Sequence, residues 1–395
     1  MSAPRPRSIC YVINNVAFFA SHRLPIATAA QARGHHVRLL TGHGGSEAME
    51  SEGERRVDAA GIERMRVDFT ADGMNPLKEL RGVLQIARWF WKLRPELVHC
   101  ASPKGVLYGG LASRIVPPHA LVISVSGMGY AFTPGARTSL KRQLIGGLYK
   151  VLSRLAYGHR NKRVVVQNMD DERYVVEVGW ARADEVIRIP GSGIDLDLFV
   201  QAPIERKQDL VVLPARLLAD KGVHEFVAAC RRLREACPGW RFMLAGSADY
   251  QNPSAISRDQ AQAWHDEGVI EWAGHVADMP GLLAQTSIVC LPSYREGMPK
   301  SLLEAAAAGC AVITTDTTGC REAIIPGETG DLVPARDADA LADALLQLIR
   351  DPARRHRYGV AGRQLAIDRF SIESVIATTL ATYSDLCRHE STDAR

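Results

Sequence analysis

The sequence lacks any apolar run of the roughly 18 residues that a membrane-crossing helix needs. The apolar stretch at residues 9–13, which follows a basic N-terminus, is too short for the core of a secretory signal peptide. We therefore expect a cytoplasmic protein. With 46% hydrophobic and 23% charged residues over 395 positions, the composition is that of an ordinary globular chain. Its length predicts about two to three domains.

Cysteine pairs with the spacing of a metal site are also absent. The eight cysteines include no C-x2-C pair, and Cys10, Cys100 and Cys290 lie within apolar, strand-like runs. This pattern predicts buried, reduced thiols. We therefore expect neither a structural metal site nor a disulfide framework.

A large excess of one charge is missing as well. The net charge of +4 gives no reason to expect nucleic acid as a partner. Positive charge is concentrated in residues 141–163, which contain lysines and arginines, no acid, and apolar residues close to helical spacing. One hypothesis is a basic amphipathic helix that binds an anionic membrane surface. The other is a domain-surface helix whose basic face is solvated.

Short apolar runs alternate with helical patterns along the chain. Polar residues, Gly and Pro between positions 190 and 207 separate two such series. Near-continuous apolar strands that alternate with helices predict an α/β protein with two doubly wound parallel sheets. Strands are predicted near residues 9–13, 36–41, 65–69, 97–100, 120–125, 163–167, 210–213, 241–245, 269–272, 288–291 and 311–315. The helices predicted between them include residues 21–33 and 76–93.

The most informative segment is residues 293–315, SYREGMPKSLLEAAAAGCAVITT. It follows an apolar strand and predicts a tight turn and then a helix, the arrangement that aims free helix N–H groups at a phosphate. Met298 has no side-chain oxygen to cap that helix, and Pro299 suits its first position. Glu296 and Glu304 bracket the turn, so one carboxylate can contact a sugar and the other a ribose.

This E-x7-E arrangement, with EG, P, LLEA, G and AVITT in order around it, resembles the donor-site motif of the retaining glycosyltransferases of family 4. In that family the first Glu lies beside the transferred sugar and the second holds the ribose hydroxyls, which implies these roles for Glu296 and Glu304. A buried strand–helix unit with solvated acids is the alternative.

The resemblance also implies the GT-B architecture, in which two Rossmann-like domains face a central cleft. Residues 1–190 then form the acceptor-side domain, and residues 191–370 bind the nucleotide sugar. The C-terminal helix, residues 371–390, is expected to pack back on the first domain.

Arg216 and Lys221 follow a predicted strand and resemble the family's R-x4-K-G element, which binds the nucleotide diphosphate. Arginine supplies a planar fork and lysine a point charge; alone, such a pair is more commonly solvated. The resemblance further implies that Gly274 and Val276 present backbone groups to the base. The predicted catalytic residues are Glu296, Arg216 and Lys221. The predicted donor-binding residues are Arg216, Lys221, Gly274, Val276, Glu296, Gly297, Met298 and Glu304.

Asp195 and Asp197 form a D-x-D pattern, with which another glycosyltransferase fold holds a divalent metal. Here the pattern follows a glycine-rich turn rather than a long apolar strand, so we interpret it as structural. Because Arg216 and Lys221 supply positive charge to the leaving diphosphate, we expect no metal and no other cofactor.

Residues 14–25 open at the end of the first strand and are expected to form a loop at the cleft, with a helix N-terminus capped by Ser21 as the alternative. Residues 101–109 and 126–133 also follow strands. They resemble a bacterial subgroup that adds sugars to polyprenyl-diphosphate-linked oligosaccharides. The acceptor-side candidates are Asn15, His22, Arg23, Lys104 and Ser126.

One departure concerns Ser126, which stands where many family members carry a His. Whatever that His does in relatives cannot be carried over to this chain. His99 lies nearby, but its apolar surroundings in the sequence are typical of a hydrogen-bonded core residue.

These patterns predict a retaining, metal-independent glycosyltransferase. The resemblance implies transfer of an N-acetylhexosamine from a UDP-sugar to a polyprenyl-diphosphate-linked saccharide, in cell-surface polysaccharide or glycoprotein glycan assembly at the inner face of the plasma membrane. The alternatives are a UDP-sugar 2-epimerase on the same fold and a non-catalytic nucleotide-sugar-binding protein. An oxidoreductase is disfavoured because residues 42–45, GHGG, lack the G-x-G-x-x-G spacing.

Overall fold

The computed structural model describes residues 7–44, 47–70, 75–127, 140–201, 207–248, 252 and 254–388. Most of the predicted acceptor string at residues 126–133 lies outside these ranges. The chain divides into two compact units. The first consists of Met1–Pro190 and Val375–Arg395, and the second of Gly191–Ser374.

The first unit is built on a seven-stranded parallel sheet with the order β3-β2-β1-β4-β5-β6-β7. The strands are β1 (Ser8–Ile13), β2 (His36–His43), β3 (Glu63–Thr70), β4 (Leu97–Ala101), β5 (Ala120–Ser124), β6 (Lys162–Val166) and β7 (Val186–Arg188). The central strands β4 and β5 are buried along their whole length, which is why they read as continuous apolar runs.

Helices connect these strands. They are α1 (Val16–His22), α2 (Leu24–Ala32), α3 (Glu47–Ala59), α4 (Pro76–Leu93), α5 (Pro103–Ile115), α6 (Leu140–Ala156) and α7 (Met169–Glu177). The C-terminal helix α14 (Ile372–Arg388) adds Tyr383 and Leu386 to the core of this unit, where they pack with residues of β1 such as Tyr11.

The second unit repeats the plan with six parallel strands in the order β10-β9-β8-β11-β12-β13. The strands are β8 (Gln208–Pro214), β9 (Arg241–Ala245), β10 (Glu271–Gly274), β11 (Thr286–Leu291), β12 (Ala311–Thr315) and β13 (Gly330–Val333). The helices are α8 (Val223–Leu233), α9 (Arg258–Asp266), α10 (Met279–Gln285), α11 (Lys300–Ala307), α12 (Ala338–Arg350) and α13 (Pro352–Leu365).

Both sheets confirm the predicted fold class. In each sheet the chain moves outward from a central strand in one direction and then returns to continue on the other side. The direction changes between β1 and β4 in the first unit, and between β8 and β11 in the second. Ligands of such sheets bind beyond the carboxyl ends of the strands at this switch point. The loops after β8 and β11 are therefore the first place to search for a site.

The predictions for residues 14–33 were wrong in two respects. Residues 14–25 are not a loop, because α1 begins at Val16 with Asn15 as its cap. The single helix predicted over residues 21–33 is two helices, which meet at Arg23. Pro25 lies in the first turn of α2, where its missing N–H favours a new helix start over a continuation of α1.

The basic segment at residues 141–163 is not one helix. Helix α6 ends at Ala156, and Lys162 begins β6. Lys162 Nζ lies 2.9 Å from the Glu185 carboxylate, and both side chains are buried, so this lysine is a core ion pair. Lys150 and Arg154 on α6 are exposed. Over the described parts of the chain, no helix is both long enough and apolar enough to span a bilayer.

Candidate active site

The loops after β8 and β11 lie side by side, because the two parallel strands are neighbours in the sheet, with Val211 opposite Ile288. After β8 the chain passes Arg216 and forms a short 3-10 turn, Ala219–Lys221. After β11 it runs through Glu296 to the start of α11 at Lys300. Residues that are 75 positions apart in sequence thereby meet at one edge of the sheet.

Lys221 and Glu296 form an ion pair at this edge through Lys221 Nζ and Glu296 Oε1. Their side chains are 19% and 13% exposed, so the pair is largely shielded but open to a ligand. The same carboxylate oxygen lies 2.8 Å from Ser293 Oγ. Glu296 therefore holds a cation on one side and accepts from a buried hydroxyl on the other.

Backbone contacts fix the two loops against each other. The Asp220 carbonyl accepts from Tyr294 N at 2.9 Å, and Ser293 Oγ lies 3.0 Å from the same oxygen. Gly222 has a φ of 72°, and a Cβ built on it would lie 2.2 Å from the Pro292 carbonyl oxygen. Only glycine permits this approach, so the turn that carries Lys221 is pressed directly onto the end of β11.

The N-terminus of α11 has no side-chain cap. Pro299 occupies the cap position and makes no side-chain hydrogen bond. Met298 is packed into the core, and Gly297 is buried in the preceding turn. Amide groups in the first turn of a helix attract anions, because the helix dipole adds to their own polarity. The sequence prediction of an uncapped helix start after a tight turn is confirmed, but Pro299 is the cap residue and not the first helical residue that was predicted.

Glu304 lies one turn further along α11 than Lys300, and its Oε1 is 3.6 Å from Lys300 Nζ. Burial raises the pKa of Glu304, and the nearby Lys300 opposes that shift. The two motif glutamates therefore have different partners: Lys221 for Glu296 and Lys300 for Glu304.

The remaining donor-side candidates lie on neighbouring loops. Arg216 is exposed in the turn after β8. Gly274 ends β10 with a φ of 63°, and Val276 packs against the cluster that contains Leu210 and Val212 of β8. All three lie at or just beyond the carboxyl ends of strands on the same half of the sheet, β8 and β10.

The acceptor-side candidates belong to the first unit, where each has contacts of its own. Asn15 caps α1, since its Oδ1 accepts from Phe18 N at 2.8 Å. The His22 ring stacks on Phe18 with centroids 4.3 Å apart. Lys104 Nζ pairs with Glu79 at 3.1 Å. Ser126 lines a small cavity together with Tyr149 and other residues at the ends of β4 and β5.

Arg23 is buried rather than presented to solvent, with 5% of its surface exposed. Its Nη1 donates to the His22 carbonyl at 3.0 Å, and burial lowers the pKa of its guanidinium. The acceptor-side role of Arg23 stays a prediction.

His99 and Asp195 have structural partners. The His99 ring nitrogens lie 2.5 Å from Tyr383 Oη and 2.7 Å from Ser124 Oγ, and burial holds its pKa well below the usual range. Asp195 Oδ1 accepts from Asp197 N at 3.0 Å, which closes a local turn. Among the described residues, no three His, Cys, Asp or Glu side chains are grouped so that they could hold a metal ion.

Two family models match the chain. The glycosyl transferase 4-like domain matches residues 20–191, and glycosyl transferases group 1 matches residues 208–351. This chain belongs to the group 1 and 4-like glycosyltransferases. The first match lies almost entirely in the first unit and the second lies within the second unit.

Individual relatives agree with this assignment. The glycosyltransferase is 26% identical to the N,N'-diacetylbacillosaminyl-diphospho-undecaprenol alpha-1,3-N-acetylgalactosaminyltransferase of Campylobacter jejuni, over 84% of this chain and 87% of the relative. It is also 26% identical to the putative glycosyltransferase EpsD of Bacillus subtilis, over 81% of this chain and 82% of the relative.

Solved structures confirm the GT-B fold. HepE of Anabaena in complex with UDP aligns with a TM-score of 0.73 at 19% identity, over 96% of this glycosyltransferase and 100% of that chain. WaaG, a glycosyltransferase involved in lipopolysaccharide biosynthesis, aligns with a TM-score of 0.68 at 15% identity, over 94% and 98% of the two chains.

Sequence reasoning missed Ser293 as a member of the site. Its hydroxyl is buried and lies within hydrogen-bond distance of both the Glu296 carboxylate and the Asp220 carbonyl. A serine three positions before the motif carboxylate, at the end of a buried strand, is the only signal the sequence contains. That signal is too common to be selected without the structure.

Proposed function

We propose that this glycosyltransferase moves an N-acetylhexosamine from a UDP-sugar to a polyprenyl-diphosphate-linked saccharide, with retention of the anomeric configuration and without a metal ion. The observation that carries the donor half is the contact of Lys221 with Glu296 beside the uncapped start of α11. Lys221, Glu296 and the N-terminus of α11 all lie at the carboxyl edge of the sheet, at the point between β8 and β11 where the strand order reverses.

In this proposal Lys221 and Arg216 bind the diphosphate, and the first-turn amides of α11 contribute further positive potential. The bond between the anomeric carbon and the diphosphate oxygen breaks, and UDP leaves with the bonding electron pair. Fixed cations stabilise that charge as it develops, which is the chemistry a metal supplies in other transferases. Glu296 positions the donor sugar, and Glu304 holds the ribose hydroxyls.

The anomeric carbon then bonds to an acceptor hydroxyl, whose proton passes to a base that the described residues do not identify. Because the configuration of the anomeric carbon is retained, the acceptor attacks from the face that the diphosphate leaves. The leaving phosphate oxygen lies on that face and is a chemically sufficient proton acceptor.

Support for the substrates comes from the relatives. The Campylobacter jejuni enzyme is named for an undecaprenyl-diphosphate-linked acceptor and an N-acetylgalactosaminyl donor group. HepE is solved with UDP and with UDP-glucose. A uridine nucleotide donor and a lipid-linked acceptor at the inner face of the plasma membrane follow as the proposal for this chain.

The test is UDP release from a panel of UDP-sugars, each with and without a polyprenyl-diphosphate-linked saccharide. We expect release that requires the lipid acceptor, continues in EDTA, and yields an α-linked product from an α-linked donor by NMR. Interconversion of two UDP-sugars without acceptor identifies a 2-epimerase instead. Tight binding of a UDP-sugar with no turnover identifies a non-catalytic binding protein. Inactivation by EDTA contradicts the metal-free mechanism.

A further inference from the structure

Helix α4 carries an unusual set of exposed apolar side chains. Leu77, Leu80, Leu84 and Trp91 are between 52% and 79% exposed, although each is a residue type that proteins normally bury. The opposite side of the same helix, which includes Ile86 and Phe90, is buried in the core. The exposed leucines and tryptophan are therefore additional to the face that α4 needs for packing.

The exposed apolar residues form one continuous stripe. At about 100° per residue, Leu80, Trp91, Leu84 and Leu77 fall within an arc of about 60°. The stripe extends over fourteen rises of about 1.5 Å, or roughly 21 Å along the helix. Three leucines and a tryptophan scattered over a surface need no explanation, but a single aligned stripe of this length is a candidate interaction surface.

A basic stripe runs directly beside the apolar one. Lys78, Arg81, Arg88 and Lys92 are all exposed and fall in the adjacent arc of about 80°. The one acid of α4, Glu79, is turned inward, where it pairs with Lys104 and contacts the Tyr108 hydroxyl.

The solvent face of α4 is thus apolar on one side, cationic on the other, and free of exposed carboxylates of its own. One acid from outside the helix, Asp68 of β3, lies 3.5 Å from Arg81 and offsets part of that charge.

We infer that α4 is a membrane-docking element that lies flat on an anionic phospholipid surface. In this orientation the leucine stripe enters the boundary between headgroups and acyl chains, and the basic stripe contacts lipid phosphates. Trp91, near the C-terminal end of the stripe, has the amphipathic ring that collects at such interfaces. A bilayer satisfies both stripes at once, which an apolar protein partner does not.

A second copy of this chain fits the same face less well. Pairing of two α4 helices covers the leucine stripe but leaves eight exposed cations near one another, with no exposed carboxylate on either α4 to neutralise them. The assignment to α4 also differs from the sequence hypothesis, which placed membrane binding on residues 141–163. Of that segment, the described exposed residues of α6 form a shorter patch that includes Val151 and Leu155.

The experiment is co-sedimentation of the full-length protein with phosphatidylcholine vesicles that contain or lack phosphatidylglycerol. We expect retention on the anionic vesicles, weaker retention at high salt, and little on neutral vesicles. The double variant Leu80→Gln/Leu84→Gln is expected to lower the partition coefficient at least about tenfold, because both side chains leave the acyl boundary. Arg88→Gln/Lys92→Gln is expected to lower it and to remove most of its salt dependence.

Two control variants each replace two exposed apolar residues outside α4. They are Val151→Gln/Leu155→Gln on α6 and Val360→Gln/Ile367→Gln in the second unit, and all four residues are exposed. The second pair is expected to bind vesicles like the unmodified protein. Thermal unfolding of every variant checks that the fold is retained.

Three outcomes overturn the inference. The unmodified protein is not retained on anionic vesicles, or the α6 variant loses vesicle binding while the α4 variant keeps it. The third is that the unmodified protein forms a dimer without lipid and the α4 variant is a monomer. The inference shares a lipid-linked acceptor with the proposed function, but the two fail separately. Vesicle binding needs no donor, and acceptor-dependent UDP release in detergent needs no vesicle.

Discussion

Replacing Lys221 with alanine separates its role in stability from its role in the reaction. The change leaves the Glu296 carboxylate, which is 13% exposed, with the Ser293 hydroxyl, 2.8 Å away, as a hydrogen-bond donor. A largely buried carboxylate that loses its cationic partner destabilises the fold. Because Glu296 keeps some access to water, we expect the free energy of unfolding to fall by about 1–3 kcal/mol. Removing the unpaired charge as well, in Lys221→Ala/Glu296→Gln, is expected to recover most of that loss.

The effect on turnover is larger and does not recover. A unit charge about 4 Å from a developing phosphate charge is worth about 4 kcal/mol at an effective dielectric of about 20. Removal of one stabilising group at a reacting centre lowers kcat by about 10²–10³ in practice. We therefore expect Lys221→Ala to lower kcat for UDP release by about 10²–10³, and Lys221→Ala/Glu296→Gln to remain at least as slow.

A matched control is available in the same unit. Arg354 and Asp331 form an ion pair of 2.6 Å with side chains 27% and 17% exposed. Arg354→Ala is expected to lower the free energy of unfolding in chemical denaturation by an amount comparable to Lys221→Ala, and to leave kcat within about twofold. A Lys221→Ala enzyme that retains more than about a third of its kcat refutes the diphosphate role. A similar loss of kcat in Arg354→Ala shows that general destabilisation, not lost charge, causes the effect.

Three further changes have defined outcomes. Ser293→Ala is expected to lower kcat more than it raises KM for the UDP-sugar, since the hydroxyl orients the Glu296 carboxylate without reaching the nucleotide; an unchanged kcat contradicts this. Gly222→Ala is expected to lower the free energy of unfolding by at least about 2 kcal/mol, because its φ of 72° and the Pro292 carbonyl leave no room for a Cβ; an unfolding curve like that of the unmodified protein contradicts it. Burial lowers the pKa of His99 and keeps it neutral in the folded state, so below pH 6.5 only the unfolded state binds the proton. The free energy of unfolding is therefore expected to decrease as the pH is lowered through that range. In denaturation curves, the unfolding free energy of the unmodified protein is expected to depend on pH more steeply than that of His99→Gln, by up to about 1.4 kcal/mol per pH unit. Equal dependence on pH in the two proteins refutes this.

Much of the second unit was predictable because its local patterns agree with its tertiary structure. Strands β9 and β12 have the predicted bounds, since their short apolar runs are buried. Helix α4 in the first unit also has its predicted bounds, with Pro76 in the first turn and Asn75 as its cap. Each of these elements carries its own start and stop signals.

Short edge strands were missed because they have no such signals. Strands β7 and β13 are three and four residues long, and they are only partly buried. They exist because β6 and β12 offer unpaired backbone groups along which they can align. Likewise, nothing local indicates that Lys162 ends in a buried pair with Glu185 rather than on a basic surface.

The sequence by itself determined the fold class, the position of the turn before α11, and the glycosyltransferase motif, because each depends on residues close together in the chain. Only the tertiary structure decided that Lys221 meets Glu296, that Ser293 joins them, that Arg23 is buried, and that the leucines of α4 face outward. These facts depend on which strands pair and which helix faces are covered. Such contacts join positions far apart in the chain, and their energies act only after the sheet has formed.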